Sequence, residues 1–152
     1  MTFTAVTFAP VQSFIRSSRK LRDLYGSSLL LSHLARALHD DAVHQLSDPD
    51  AVISPAEVAL SRGVPNTLII RGNYSATQAR KVLLSTWDQV LQACRAWLER
   101  QIKVSDFPER PQGWKDDWDA GWGASWKAAA LHSWEVFHGQ GSSIAEAREV
   151  LE

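Results

Sequence analysis

The sequence predicts an α+β domain that leads into a helical, tryptophan-rich extension. Three observations carry this reading. Residues 2–8 and 67–70 are rich in β-branched and aromatic side chains, the signature of strands in a sheet. The stretches between and after them repeat apolar side chains at helical spacing. Of the seven tryptophans, Trp114, Trp118, Trp122, Trp126 and Trp134 crowd into the last third of the chain.

Taken in order, Thr2 to Phe8 forms the first strand. Pro10 suits the first turn of a helix, where a missing N–H costs nothing. Residues 11–24 are predicted as one amphipathic helix. Val11, Phe14, Ile15 and Ser18 share one side, continued by Leu21 and Tyr25; Arg16, Arg19, Lys20 and Asp23 form the other. Gly26-Ser27-Ser28 reads as an interruption, with Ser27 or Ser28 capping a second helix from Leu29 to about Gln45. Ser47-Asp48-Pro49-Asp50 marks a loop. Residues 51–60 hold only a hint of a short strand at Val52-Ile53. Pro65-Asn66 turns into the second clear strand, which Gly72-Asn73 ends, and Ser75 or Thr77 caps a long helix to about Lys103.

From Pro108 the composition shifts. Trp114, Trp118, Trp122 and Trp126 recur every fourth residue, which makes a stripe along one helical flank, although Gly121 and Gly123 weaken that helix. Ser143 to Glu152 reads as a final capped helix, and the chain stops inside that pattern, as a polypeptide that continues or a fragment would. The expected division is a domain over 1–107 and a helical extension over 108–152. Strands separated by helices suggest helices layered on one face of a sheet, and two further short strands would make the domain ferredoxin-like.

The 152 residues suffice for one domain with a core, and 45% hydrophobic with 22% charged residues is an ordinary soluble balance. A formal net charge of −1 argues against a generic polyanion binder. The single cysteine, Cys94, forms no internal disulfide and is expected to be a buried or half-buried structural thiol. No stretch has the length of a membrane span, and the N-terminus lacks the basic region of a signal peptide, so a cytoplasmic location is the default.

Four groups of residues invite a chemical reading. Residues 10–36 hold Arg16, Arg19, Lys20, Arg22 and Arg36 against Asp23 alone, a face suited to phosphates or to intersubunit ion pairs. Gly26-Ser27-Ser28 before a helix would offer N–H groups to an anion, but no Walker motif follows, and a simple kink and cap is the plainer account. His39-Asp40-Asp41 contains a His-Asp pair of the kind found in metal-dependent phosphohydrolases. His33 and His44 lie three turns apart on the same helix and cannot share a metal with each other, so no metal site is expected. The tryptophan stripe suits packing against another domain or subunit better than base stacking, given Asp116, Asp117 and Asp119 beside it. No complete catalytic constellation is present in the chain.

One stretch narrows the field. Phe8-Ala9-Pro10-Val11-Gln12-Ser13-Phe14-Ile15, followed by Ser18-Arg19-Lys20-Leu21-Arg22-Asp23-Leu24-Tyr25-Gly26-Ser27-Ser28-Leu29-Leu30-Leu31-Ser32, resembles the segment that opens the first palm-like domain in the large subunit of type III CRISPR effector complexes (the Cas-ten family, Cmr type). The family pattern reads roughly G-P-V-Q-x-F-I-x-x-A-R-K-T-R-D-L-W-x-G-S-x-L-L-S. Ala9, Ser18, Leu21 and Tyr25 depart from it, and the spacer before Gly26 is one residue shorter. Val64-Pro65-Asn66 before the second strand is similar to the family's L-P-N-R-F segment, and Trp134-Glu135-Val136-Phe137 is weakly similar to a later aromatic one.

The resemblance implies a non-catalytic palm of ferredoxin-like fold, without the HD nuclease domain that many members carry upstream. It implies an assembly role in an antiviral ribonucleoprotein, with other Cas subunits, CRISPR RNA and target RNA as partners and Arg16, Arg19, Lys20 and Arg22 as RNA or subunit contacts. It implies a nucleotide pocket completed by another domain, with Gly26, Ser27 and Ser28 on this side and ATP and a divalent metal held at the interface. In the family, ATP becomes cyclic oligoadenylate at a second palm carrying Gly-Gly-Asp-Asp, a motif absent from these residues. An active cyclase would need that palm to follow. A stand-alone module for single-stranded nucleic acid is the remaining alternative.

Overall fold

The structure is a computed structural model that describes residues 1–55, 65–101 and 114–151, and of residues 114–119 only the backbone. The elements run β1 (Phe3–Ala9), α1 (Val11–Arg16), α2 (Leu21–Leu46), β2 (Val52–Ser54), β3 (Thr67–Arg71), α3 (Ala76–Gln101), α4 (Trp114–His132), β4 (Glu135–Gly141) and α5 (Ile144–Glu149). The four strands form one sheet in the order β2-β3-β1-β4, every neighbour antiparallel. Helices separate β1 from β2 and β3 from β4, so the order is the split βαββαβ of a ferredoxin-like fold. The two further strands that this fold requires are β2, where the sequence gives a hint, and β4, where it gives none.

The chain divides into two compact units, Met1–Leu83 with Trp134–Glu152, and Leu84–Ser133. The first contains the sheet, α1, α2, the opening turns of α3, and α5. The second contains the remainder of α3 and α4. The boundary expected between residues 107 and 108 lies outside the described residues.

In the first unit β1 is central, paired to β3 with Val6 opposite Leu68 and to β4 with Val6 opposite His138. Directly opposed residues share a face, so the register sorts the sheet. Thr4, Val6 and Phe8, with Leu68 and Ile70, occupy one face, and α2 lies against β2 and β3. Its buried stripe is Leu31, Leu34, Ala35, Leu38 and Ala42 at helical spacing. Ala5 and Ile69 occupy the other face, where they pack with Ala147 of α5 and with Phe3, Ile144 and Leu151. Ser143 caps α5 by accepting the N–H of Glu146, as a terminal capped helix predicts.

Two glycines permit this packing. Gly72, at φ 137°, adopts a conformation that favours glycine and turns the chain out of β3. Gly139 lets α5 approach the sheet: a Cβ there would lie on the Ala147 carbonyl oxygen and 2.9 Å from the Leu151 nitrogen.

Three local expectations are corrected. The break falls at Ser17–Lys20, and α2 passes through Gly26-Ser27-Ser28 without interruption. Ser17 Oγ donates to the Phe14 carbonyl at 2.6 Å, and the Ser18 N–H bonds Ile15, so two adjacent serines satisfy the end of α1 locally. Because the helical phase restarts at Leu21, Leu21 and Tyr25 do not continue the Phe14 side and are exposed. Cys94 is also exposed, on a flank of α3 whose buried positions, Ala79, Leu83, Thr86 and Trp87, all precede it.

Gly139→Ala should lower stability by about 1–3 kcal/mol, because α5 must shift to admit the methyl group. Gly26→Ala, whose Cβ meets nothing within 4 Å, should raise stability by about 0.5–1 kcal/mol. Urea midpoints of the two variants, moving in opposite directions, check the packing of α5 and the unbroken α2 together.

Candidate functional site

The residues singled out by the sequence gather at the elbow between α1 and α2. Arg16 ends α1, Arg19 and Lys20 lie in the link, and Arg22 is in the first turn of α2; all are exposed. The link is held from both sides. Phe14 of α1 packs on Trp134 with ring centroids 5.1 Å apart, and Trp134 meets Phe8 edge-on at 5.7 Å. Ser18 Oγ lies 3.0 Å from Ser27 Oγ, which donates to the Asp23 carbonyl at 2.8 Å. Asp23, the only acid here, accepts the Lys20 N–H at 3.2 Å and lies 3.6 Å from Arg22 Nε. Arg36 stands apart, paired with Asp40 one turn on at 3.4 Å.

Gly26, Ser27 and Ser28 are half-buried in the second turn of α2 rather than at its start. Their N–H groups therefore belong to the helical ladder and are not free to cradle a phosphate. Ser27 Oγ is also engaged, as described above. The fit to an anion by helix-start geometry is lost. What remains is open space beside Gly26 and the hydroxyl of Ser28.

A second polar cluster was not visible in the sequence. Tyr74, almost fully buried, donates its hydroxyl to Asp41 Oδ2 at 2.8 Å, and Gln78 Nε2 reaches both oxygens of Asp41 at 3.0 Å. Burial first, and then the Asp41 carboxylate, hold the Tyr74 phenol protonated well above the ordinary range. Thr4 Oγ1 donates to the Gly72 carbonyl at 2.6 Å and accepts from the Tyr74 N–H and Gln140 Nε2, both at 3.3 Å. His138 Nε2 donates to the Tyr74 carbonyl at 2.8 Å. This cluster joins α2, α3, β1 and β4, and its hydrogen bonds tie those elements together. The side-chain bonds that join its elements span separations from 33 to 136 positions, and no local motif marks them.

His39 Nδ1 and Asp40 Oδ1 are 3.0 Å apart on the side of α2. Among the described residues no group of three or more His, Cys, Asp or Glu side chains is placed to hold a metal.

In the second unit α3 and α4 run antiparallel, with Trp87 Nε1 donating to the Ala129 carbonyl and Trp122 Nε1 to Glu99 Oε1. Trp122 and Trp126 meet edge-on at 5.5 Å. Leu84, Leu91, Trp126 and Leu131 line a groove of about 490 Å³ between the helices. The described part of the stripe thus packs within its own helical hairpin, and the side chains of Trp114 and Trp118 lie outside the described residues. Among the described residues no helix is long and apolar enough to cross a membrane.

Tyr74→Phe should cost about 1–3 kcal/mol, since Asp41 loses a buried donor, and the change should appear in the urea midpoint. At the hairpin, Glu99 titrates below the ordinary carboxylate range because of its hydrogen bond to Arg95 first and to Trp122 second. Trp122→Phe should therefore raise the Glu99 value toward the ordinary range in a carboxyl NMR titration. The preference for charged Glu99 is present above the ordinary range and is lost as pH falls through the lowered value.

Residues 3–110 match the model of the family described as CRISPR-associated protein Cmr2, N-terminal. No curated protein matches the chain. The matched span runs from β1 through α3 and takes in the elbow and, of the second cluster, Thr4, Asp41, Tyr74 and Gln78. The chain belongs to this Cmr2 N-terminal family, the N-terminal region of a Cmr-type type III CRISPR large subunit.

Proposed function

We propose that this chain is the structural palm of the large subunit of an RNA-guided type III antiviral complex, acting as an assembly domain. The observation that carries the reading is the family match over residues 3–110, on a chain that folds as a βαββαβ sheet. In this reading the other Cas subunits, CRISPR RNA and target RNA are the partners. Arg16, Arg19, Lys20 and Arg22 contact one of them, supported by their exposure and by Asp23 being the single acid between residues 10 and 36.

The nucleotide pocket is completed by another domain, which supplies the phosphate and divalent-metal contacts. This chain contributes the surface at Gly26, Ser27 and Ser28, where the missing side chain of Gly26 leaves room for close approach. Synthesis of cyclic oligoadenylate from ATP then falls to a palm bearing Gly-Gly-Asp-Asp.

Co-purification of the tagged native gene product, read by mass spectrometry and RNA sequencing, tests the reading. Cas backbone subunits and short repeat-derived RNAs are expected. A lone, RNA-free monomer overturns it, and binding of unrelated single-stranded nucleic acid alone would favour a stand-alone module. Arg16→Glu with Lys20→Glu should weaken assembly or RNA association about tenfold at low salt, with unfolding unchanged. Unchanged assembly and RNA binding would remove the elbow from the proposed contacts.

A further inference from the structure

The first ten residues of α2, Leu21 to Leu30, include no buried position; burial begins at Leu31. A helix whose first turn is fully exposed is usually polar on all sides there. This one is not. Leu21 is 81% exposed, Leu24 42% and Tyr25 58%. Spaced i, i+3 and i+4, the three share one face and form a continuous apolar patch. Arg16, Arg19, Lys20 and Arg22 precede or flank it, all exposed. The sole acid, Asp23, is turned to the Lys20 N–H and to Arg22. The patch is therefore apolar at the centre and cationic at the rim.

We propose that this elbow is a protein-docking surface whose occupant is an acidic patch with an apolar recess on another subunit of the complex. The inference rests on the assembly reading above and names the partner chemistry of that contact. Charge complementarity requires an anionic partner. The apolar centre selects protein over RNA: a phosphate backbone would satisfy the four cations, and one base would stack on Tyr25, but neither desolvates Leu21 and Leu24. An apolar recess does, and a rim of ion pairs fixes its orientation. The Ser18–Ser27 contact and the packing of Phe14 on Trp134 hold α1 and α2 in one geometry, so the surface is formed before the partner arrives.

The test uses the native large-subunit gene co-expressed with the other Cas subunits of its locus, with a backbone subunit carrying the affinity tag. Leu21→Ser with Tyr25→Ser removes the two most exposed apolar side chains of the centre and keeps every charge. The expected result is about a tenfold or greater fall in recovered large subunit (about 1.4 kcal/mol per tenfold), persisting after nuclease treatment. Arg19→Glu with Lys20→Glu should lower recovery most at low salt. Affinity of the isolated large subunit for a labelled single-stranded RNA should be unchanged by the serine pair. Equal urea midpoints for variant and wild type exclude unfolding as the cause.

Unchanged recovery of the serine variant beside a wild type that does co-purify overturns the docking surface and leaves the assembly reading standing. Loss of RNA affinity in the serine variant overturns the choice of protein and assigns the face to RNA. A wild type that recovers no Cas subunit overturns both.

Discussion

The fold depends on β1 occupying the middle of the sheet. Phe3–Thr7 pair on one side with β3, and all seven of its residues pair on the other with β4, which comes from the far end of the described chain. Such a strand has no solvent edge, and burial on both faces fixes its register, because a slip of one residue would exchange Val6 and Phe8 for Ala5 and Thr7. Everything near the strand answers to that register. Thr4 reaches Gly72, Tyr74 and Gln140 only because it faces the helices. Ala5 admits α5 only because Gly139 beside it is bare.

The elbow follows from the same constraint. β1 delivers the chain to Pro10, and Phe14 packs on Trp134, the residue that leads into β4. The short α1 is thus tied to the sheet, while α2 must leave at a new angle to lay Leu31 to Ala42 over the core. The bend exposes the opening turns of α2 and gathers Arg16, Arg19, Lys20 and Arg22 at one corner. A structural need of the core and the proposed docking surface meet in the same residues.

The second unit has different physics. Its helices are joined by indole hydrogen bonds rather than by a sheet, and an edge-on tryptophan pair lies along α4. The family match ends at residue 110, before α4. The sheet is completed by β4, after α4, so along the chain the hairpin is inserted between two elements of the ferredoxin-like unit.

The amino-acid order alone settled the class of the fold, the two inner strands, a long helix capped at Ser75 or Thr77, a capped last helix from Ser143 and the likeness to the family. These depend on local pattern: alternation, helical spacing, a capping hydroxyl, a run of fixed residue types. It also placed the basic residues on a surface. It did not determine where the first helix breaks, because Ser17-Ser18 and Gly26-Ser27-Ser28 are both credible stops, and only the demand that Leu31, Leu34 and Leu38 meet the sheet chooses between them. It did not show β4, whose Gly139 and Gly141 weaken any strand pattern and are there because α5 needs the space. Nor did it join Asp41 to Tyr74, or separate Leu21 and Tyr25 from the core. Those outcomes are set by contacts between residues distant in the chain, and local spacing carries no record of them.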